Sequence, residues 1–332
     1  MVTLSSSVDT GHEDMVHDAC LDFYGARLAT CSSDRTIRIF DVSIEDASKH
    51  PILDHLKGHK GPVWQVCWSH PIYDSLLASA SQDGTVRIWQ EISGRSSWIQ
   101  SFEYKGHKSS VNTVCFAPYQ HGLMLAAGSS DGSISILFKD HLKANSEWQS
   151  KLVLNAHEMG VNSICWGPLP YLRFVSGGSD GVVKIWSPNS NKEWTVIDSL
   201  TAHKDCVRDV AWSPSLSRSY IASCGQDMNI IIWQEESSDN SDNNRAPGYS
   251  YWVEKERIKT DNIAWTVSWC MSGTTLAIAG QDNRVRFFKE MISGQFVEIS
   301  PLSEQPARNH SSMNVSLTTE MSQNLCQNTA PV

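Results

Sequence analysis

The sequence predicts an all-β fold, a six-bladed open β-propeller with four-stranded blades, from three observations. An Asp sits in a tight turn six times, at Asp34, Asp83, Asp131, Asp180, Asp227 and Asp282, at intervals of 49, 48, 49, 47 and 55 residues. A β-branched strand follows each Asp and closes six residues later on Phe40, Trp89, Leu137, Trp186, Trp233 or Phe288. A Gly-His or Ala-His pair opens five of the units, at His12, His59, His107, His157 and His203. A fixed period in this range marks units that stack or circle within one architecture.

The elements follow in order. Residues 1–10 hold a short apolar strand built on Val2, Leu4 and Val8. In the first unit, Met15 to Leu21, Arg27 to Thr30 and Thr36 to Phe40 read as strands, separated by Tyr24-Gly25 and by Ser32 to Arg35. Short strands at this spacing, bounded by turn residues, mean an all-β fold. The second unit has strands at Val63 to Trp68, Leu76 to Ser79 and Thr85 to Trp89, with an outer strand near Trp98 to Tyr104. The third, fourth and fifth units repeat the scheme, and their outer strands carry Trp148, Trp194 and Trp252. Glu235 to Gly248 interrupts the pattern with an acidic, polar run, expected to be a solvated loop. The sixth unit has Thr260 where His would stand. Its strands are expected at Trp265 to Trp269, Leu276 to Ala279, Arg284 to Phe288 and, outermost, Gln295 to Ser300. The organisation is therefore an N-terminal strand (1–10), a propeller (11–300) and a disordered polar tail (301–332).

Composition excludes several function classes. A net charge of −9 disfavours a phosphate-binding surface. Of nine Cys, four lie eight residues after an opening His: Cys20, Cys67, Cys115 and Cys165. Equivalent positions in successive blades are too far apart for disulfides, so these read as small apolar core thiols in a reducing compartment. There is no C-x-x-C pair, so zinc is not expected, nor is any cofactor. No basic region precedes an apolar run at the N-terminus, so no signal peptide is expected, and no apolar segment has the length of a membrane span.

Three units carry a full polar set: His59, Ser79, Asp83, Trp89; His157, Ser176, Asp180, Trp186; and His203, Ser223, Asp227, Trp233. In a four-stranded blade these should meet. The Asp would accept from the His ring, the hydroxyl would bond the other ring nitrogen, and the indole N–H would donate to the hydroxyl. Ser, His and Asp together also suggest a hydrolase. Catalysis needs one exposed nucleophile beside an oxyanion site, whereas this set recurs in equivalent places and decays elsewhere, to Thr30 and Phe40, to Ala127 and Leu137, and to Ile278 and Phe288. A structural staple is the better reading. Ser176-Gly177-Gly178-Ser179-Asp180-Gly181 lacks the Lys of a phosphate loop and reads as a blade turn. The spacing from Gly-His to the closing aromatic is the signature of WD repeats.

Six units with their own outer strands leave Val2 to Val8 over. That segment would belong to a seventh blade lacking its inner strands, so the apolar faces of blades one and six should be exposed unless covered. The expectation is that a partner chain inserts about three strands, and that Val2, Leu4, Val8, Val297 and Ile299 lie along that edge.

Thr10-Gly11-His12-Glu13-Asp14-Met15-Val16-His17-Asp18, Phe23-Tyr24-Gly25 and Leu28 to Asp34 resemble the small WD-repeat subunit of the coat protein complex II outer coat, on vesicles leaving the endoplasmic reticulum. So do Gly61 to Val66, Gly128 to Gly132 and Val207 to Trp212, and the similarity runs over about residues 8 to 300. The resemblance implies a non-enzymatic scaffold whose open ring accepts a blade from a large coat subunit. It also implies sharing with the Y-shaped scaffold of the nuclear pore, where another subunit supplies the blade. Membrane association would be peripheral, through partners, at endoplasmic reticulum exit-site vesicles and at the nuclear envelope. The alternatives are a closed peptide-reading adaptor and a paralogous nuclear-pore propeller. The latter is disfavoured because units four and five keep full His-Ser-Asp-Trp sets.

Overall fold

In the computed structural model, consecutive strands pair antiparallel into six sheets of four. Residues 8–43, 50–92, 97–143, 146–215, 218–237 and 250–301 are described. The innermost strands of the six blades are Val16–Leu21, Val63–Trp68, Val111–Phe116, Val161–Trp166, Val207–Trp212 and Ala264–Trp269. Each packs against the inner strand of the next blade, from blade one through to blade six.

The second strands are built from small and apolar residues, and this lets neighbouring sheets approach on both faces. Leu76–Ser81 (LLASAS) and Tyr220–Gly225 (YIASCG) are buried at every position. Five apolar clusters fill the five seams between consecutive blades. Between blades one and two, for example, Ile37 and Ile39 pack with Trp68, Leu77 and Trp89. No comparable cluster joins blade six to blade one among the described residues, so the ring is open.

All six inner strands share one irregularity. Their pairing with the second strand slips near the start, between Val16 and Asp18, Val63 and Gln65, Val161 and Ser163, Val207 and Asp209, and Ala264 and Thr266. In blade three the slip falls between Val111 and Thr113. Such a bulge leaves one residue unpaired and re-aims the side chain that follows. The re-aimed residue is polar in every blade.

The observed strands extend several sequence-based bounds and shift others. The second strand of blade one reaches Ser32, and the third strand of blade two is Val86–Ile92. Trp148 sits just ahead of its outer strand, Gln149–Val153. Asn229–Ser237 and Ser250–Lys259 are long paired strands, so Glu235 to Ser237 belong to the sheet and the acidic loop is shorter than expected. The rest of that loop, residues 238–249, lies outside the described residues. The outer strand of blade six is Phe296–Pro301, so the propeller ends one residue later than expected. The tail beyond it also lies outside the described residues. No helix among the described residues is long and apolar enough to cross a membrane.

Candidate functional site

The three full polar sets converge as hydrogen-bonded chains. In blade two, His59 Nδ1 lies 3.0 Å from Asp83 Oδ2, His59 Nε2 lies 2.8 Å from Ser79 Oγ, and Trp89 Nε1 donates to Ser79 Oγ at 3.0 Å. Blade four repeats this with His157 to Asp180 at 3.0 Å, His157 to Ser176 at 2.7 Å and Trp186 to Ser176 at 2.8 Å. In blade five, His203 to Asp227 is 3.0 Å, His203 to Ser223 is 2.8 Å and Trp233 to Ser223 is 2.9 Å. Burial pushes the His59 and His203 imidazoles below their ordinary range, against the pull of Asp83 and Asp227. A neutral ring that donates from Nδ1 to the carboxylate must accept at Nε2, so the Ser hydroxyl donates to His and accepts from Trp.

The distances match a catalytic triad, but the hydroxyls are unreachable. Ser79, Ser176 and Ser223 are each 0 % exposed. Glycine is required beside two of these sets: a Cβ on Gly178 would lie 2.2 Å from His157 Nδ1, and one on Gly225 would lie 2.6 Å from His203 Nδ1.

The degraded sets find substitutes. In blade one, His12 bonds Asp34 at 2.7 Å and Thr30 Oγ1 at 2.9 Å. Burial raises Asp34, but bonds from Thr36 and His12 outweigh it and hold the carboxyl at about 2. In blade three, where Ala127 and Leu137 offer nothing, His107 bonds Ser135 of the third strand at 2.8 Å and Ser133 at 3.0 Å in the turn of Asp131, whose carboxylate lies 3.6 Å from the ring. Blade six has no His, and Asp282 pairs with Arg286.

A second set of polar residues, unrecognised from the sequence, joins the blades to one another. It consists of the re-aimed residues after the bulges. Asp18 accepts the N–H of Val66 at 3.1 Å, and Gln65 accepts that of Val114 at 2.7 Å. Thr113 accepts from Ile164 at 3.2 Å, Ser163 from Val210 at 3.3 Å and Asp209 from Val267 at 3.0 Å. Every seam between consecutive blades therefore carries such a bond from a side chain to the next inner strand.

The repeated cysteines serve the same purpose two residues on. Cys67 Sγ accepts from Phe116 N at 3.5 Å and Cys165 Sγ from Trp212 N at 3.3 Å. They are more than small apolar filling. Burial pushes the Cys20 and Cys165 thiols up to about 12, so they remain protonated. Indoles add a third contact: Trp68 Nε1 donates to Cys20 O at 2.9 Å, Trp166 Nε1 to Cys115 O at 2.9 Å and Trp269 Nε1 to Ala211 O at 3.2 Å. In blade one the equivalent residue is Leu21, whose side chain has no N–H to offer a preceding blade.

The ladder contains two half-buried acids. Burial drives Asp18 up to about 6, held back by the N–H groups of Val66 and Ala19. Burial also raises Asp209, against four donors: Ser163 Oγ at 2.6 Å, Val210 N at 2.9 Å, Thr266 Oγ1 at 2.7 Å and Val267 N at 3.0 Å. A carboxyl whose folded pKa exceeds its unfolded value costs nothing below the unfolded value, and the full cost applies above the folded one. Asp18→Asn is therefore expected to gain stability relative to the native chain as pH rises from about 4 to about 6. Melting both proteins at pH 4.5 and 7.5 checks this; an unchanged difference would show that Asp18 does not titrate in that window.

At the sixth seam the ladder stops. Thr266 is exposed and Trp265 is 45 % exposed. Trp265 lies under the Arg208 guanidinium, 5.0 Å from its ring centroid. The far face of blade six carries Ala277, Ala279, Val285 and Phe287, in the register that Ala222, Cys224, Ile230 and Ile232 occupy in blade five. The latter four pack directly on blade six.

Of the residues expected along the edge, Val297 and Ile299 are 46 % and 48 % exposed. Val8 forms a single bridge and packs on Leu21, Leu28 and Phe40. Val2 and Leu4 lie outside the described residues. Contrary to the expectation from strand counting, the apolar faces flanking the gap are not broadly exposed: Leu28, Phe40, Ala277 and Phe287 are all buried. On blade one, Val8 and Val42 lie against this face. Exposure concentrates instead at the inner rim and on the outer strand. Among the described residues, no group of three or more His, Cys, Asp or Glu could hold a metal.

A family model described as "WD domain, G-beta repeat" matches residues 5–41, 51–90, 98–136, 148–187 and 194–234. The chain is similar to protein transport protein sec13 of Emericella nidulans, with 42 % identity over 89 % of this chain and 97 % of the relative. Protein transport protein SEC13 of Yarrowia lipolytica is 42 % identical over 92 % of this chain and 100 % of the relative. The SEC13 homolog of Drosophila melanogaster is 41 % identical over 90 % and 84 %.

Proposed function

Given that the chain belongs to the Sec13 family of WD-repeat proteins, we propose that it is a scaffold subunit of the coat on vesicles carrying protein from the endoplasmic reticulum to the Golgi. It rigidifies a large coat subunit by accepting a blade from it in the gap between blades six and one. The same gap would accept a blade from a nuclear-pore scaffold subunit, placing the protein at exit-site vesicles in the cytoplasm and at the nuclear envelope. Its work is assembly, not chemistry, and it meets membranes only through these partners.

One observation supports this above the others: the inter-blade ladder crosses five seams and halts at the sixth with Thr266 and Trp265 exposed. A blade filling that gap would bury more than the roughly 1,600 Å² of a standard interface and form an obligate joint. The hydroxyl burial noted above disfavours a hydrolase.

The test is affinity capture of the full chain, with lysine cross-linking and mass spectrometry. Cross-links from Lys289, exposed in the third strand of blade six, are expected to reach a strand-forming segment of one large partner. Co-expression with that segment should raise the thermal midpoint. A lone chain that is monomeric, highly stable and unaffected by co-expression would overturn the open-ring reading.

A further inference from the structure

We propose that the gap selects its incoming blade through one reciprocal pair of inner-strand hydrogen bonds, with Thr266 as acceptor and the Ala19 N–H as donor; this rests on the blade-insertion reading. The repeat itself sets this pairing. In each of five seams, the polar residue after the bulge accepts the N–H of the residue that follows its counterpart in the next blade. Thr266 is that polar residue in blade six, and Ala19 is that following residue in blade one.

Both are configured for the role and bond only within blades already present. Thr266 Oγ1 donates to Asp209 Oδ2 at 2.7 Å, which leaves its lone pairs open. Ser163 shows the same hydroxyl doing both jobs, donating to Asp209 at 2.6 Å while accepting from Val210. Thr113, the other threonine at this position, is 2 % exposed under its neighbour, whereas Thr266 is exposed. On the other flank, the five residues equivalent to Ala19 are at most 3 % exposed, while Ala19 is only partly buried. Its N–H meets its own Asp18 Oδ1 at 2.8 Å, as Val210 N meets Asp209 at 2.9 Å while also reaching Ser163.

The occupant is thus specified chemically. It is a partner's β-blade whose inner strand has a bulge, then an acceptor side chain (Asp, Gln, Ser or Thr), then a residue with a free N–H. That excludes proline at the last position and an apolar side chain at the one before. The chain's own residues 301–332 fit poorly, because they contain neither Asp nor Gly for a blade turn.

Blade four is the natural probe, since it already follows a threonine: its Ile164 N–H sits on Thr113. A copy of residues 157–200 is appended to the full chain through a flexible linker, and amide exchange is followed by mass spectrometry. The appended blade is expected to raise the thermal midpoint and to protect both its own copy of Ile164 and Ala19. Thr266→Val should speed exchange at the copied Ile164 about tenfold, while Thr266→Ser, which keeps the hydroxyl, should not. Ser163→Ala in the copy should do the same to Ala19. If the blade seats but Thr266→Val leaves exchange unchanged, the pairing is wrong and insertion stands. An appended blade that never seats sinks both ideas. Seating that requires removal of residues 302–332 would make the tail the occupant and overturn the proposal.

Discussion

Trp269→Ala is expected to destabilise the protein by about 4 kcal/mol, the range for deleting a fully buried Trp. The side chain is 2 % exposed and lies in the seam between blades five and six. It packs between Tyr220 and Phe296, with ring centroids 6.2 and 5.7 Å away. Its indole also carries the bond to Ala211 O, so the substitution leaves a cavity and an unsatisfied buried carbonyl together. Because blade six has a described neighbour on one side only, the loss should be local: amides of blade six should exchange faster while blades two to four keep their protection. A loss below about 1 kcal/mol would mean that blade six is held chiefly by something other than this seam.

Ser223→Ala is expected to cost about 3 kcal/mol, although it removes a single atom. The serine oxygen accepts from Trp233 Nε1 and donates to His203 Nε2, and both partners are then buried without a replacement. Each orphaned group costs about 1–3 kcal/mol. Chemical denaturation of the variant measures this directly. The same variant separates staple from nucleophile: a hydrolase would lose activity and keep stability, and the expected result is the reverse. A neutral effect on unfolding would show that the blade relaxes around the missing hydroxyl.

The repeat period, the four-stranded blades and the members of the polar sets were all legible in the sequence, because each rests on residue types at fixed offsets from a turn. His59, Ser79, Asp83 and Trp89 are separated by up to thirty positions, yet the period alone brings them together. The substitution in blade three was harder to read. Ser135 reaches the ring from the third strand in place of the second-strand Ser, and Ser133 bonds it beside Asp131, which depends on side-chain direction rather than offset.

The inter-blade ladder was missed for a different reason. Asp18, Gln65, Thr113, Ser163, Asp209 and Thr266 share a position but not a residue type. Only their common polarity, amid otherwise apolar strands and two residues before Cys67 or its equivalents, could have marked them. The bulge that aims them has no glycine signature. A count of strands predicts bare faces on blades one and six but carries no information on what folds over them, and Val8 and Val42 lie against Leu28 and Phe40.

The open seam has a mechanical consequence. A closed ring must divide one full revolution among its blades, so every joint carries a share of any angular misfit. This ring behaves as a split washer: each of its five joints can take its own preferred angle, and the accumulated error appears only as the width of the slot. A blade entering the slot, as proposed, would meet a spring whose compliance is the sum of small rotations at joints held by side chains, each able to yield slightly without breaking a strand. If a partner blade fills the slot as proposed, the same two lips would accommodate segments of somewhat different thickness.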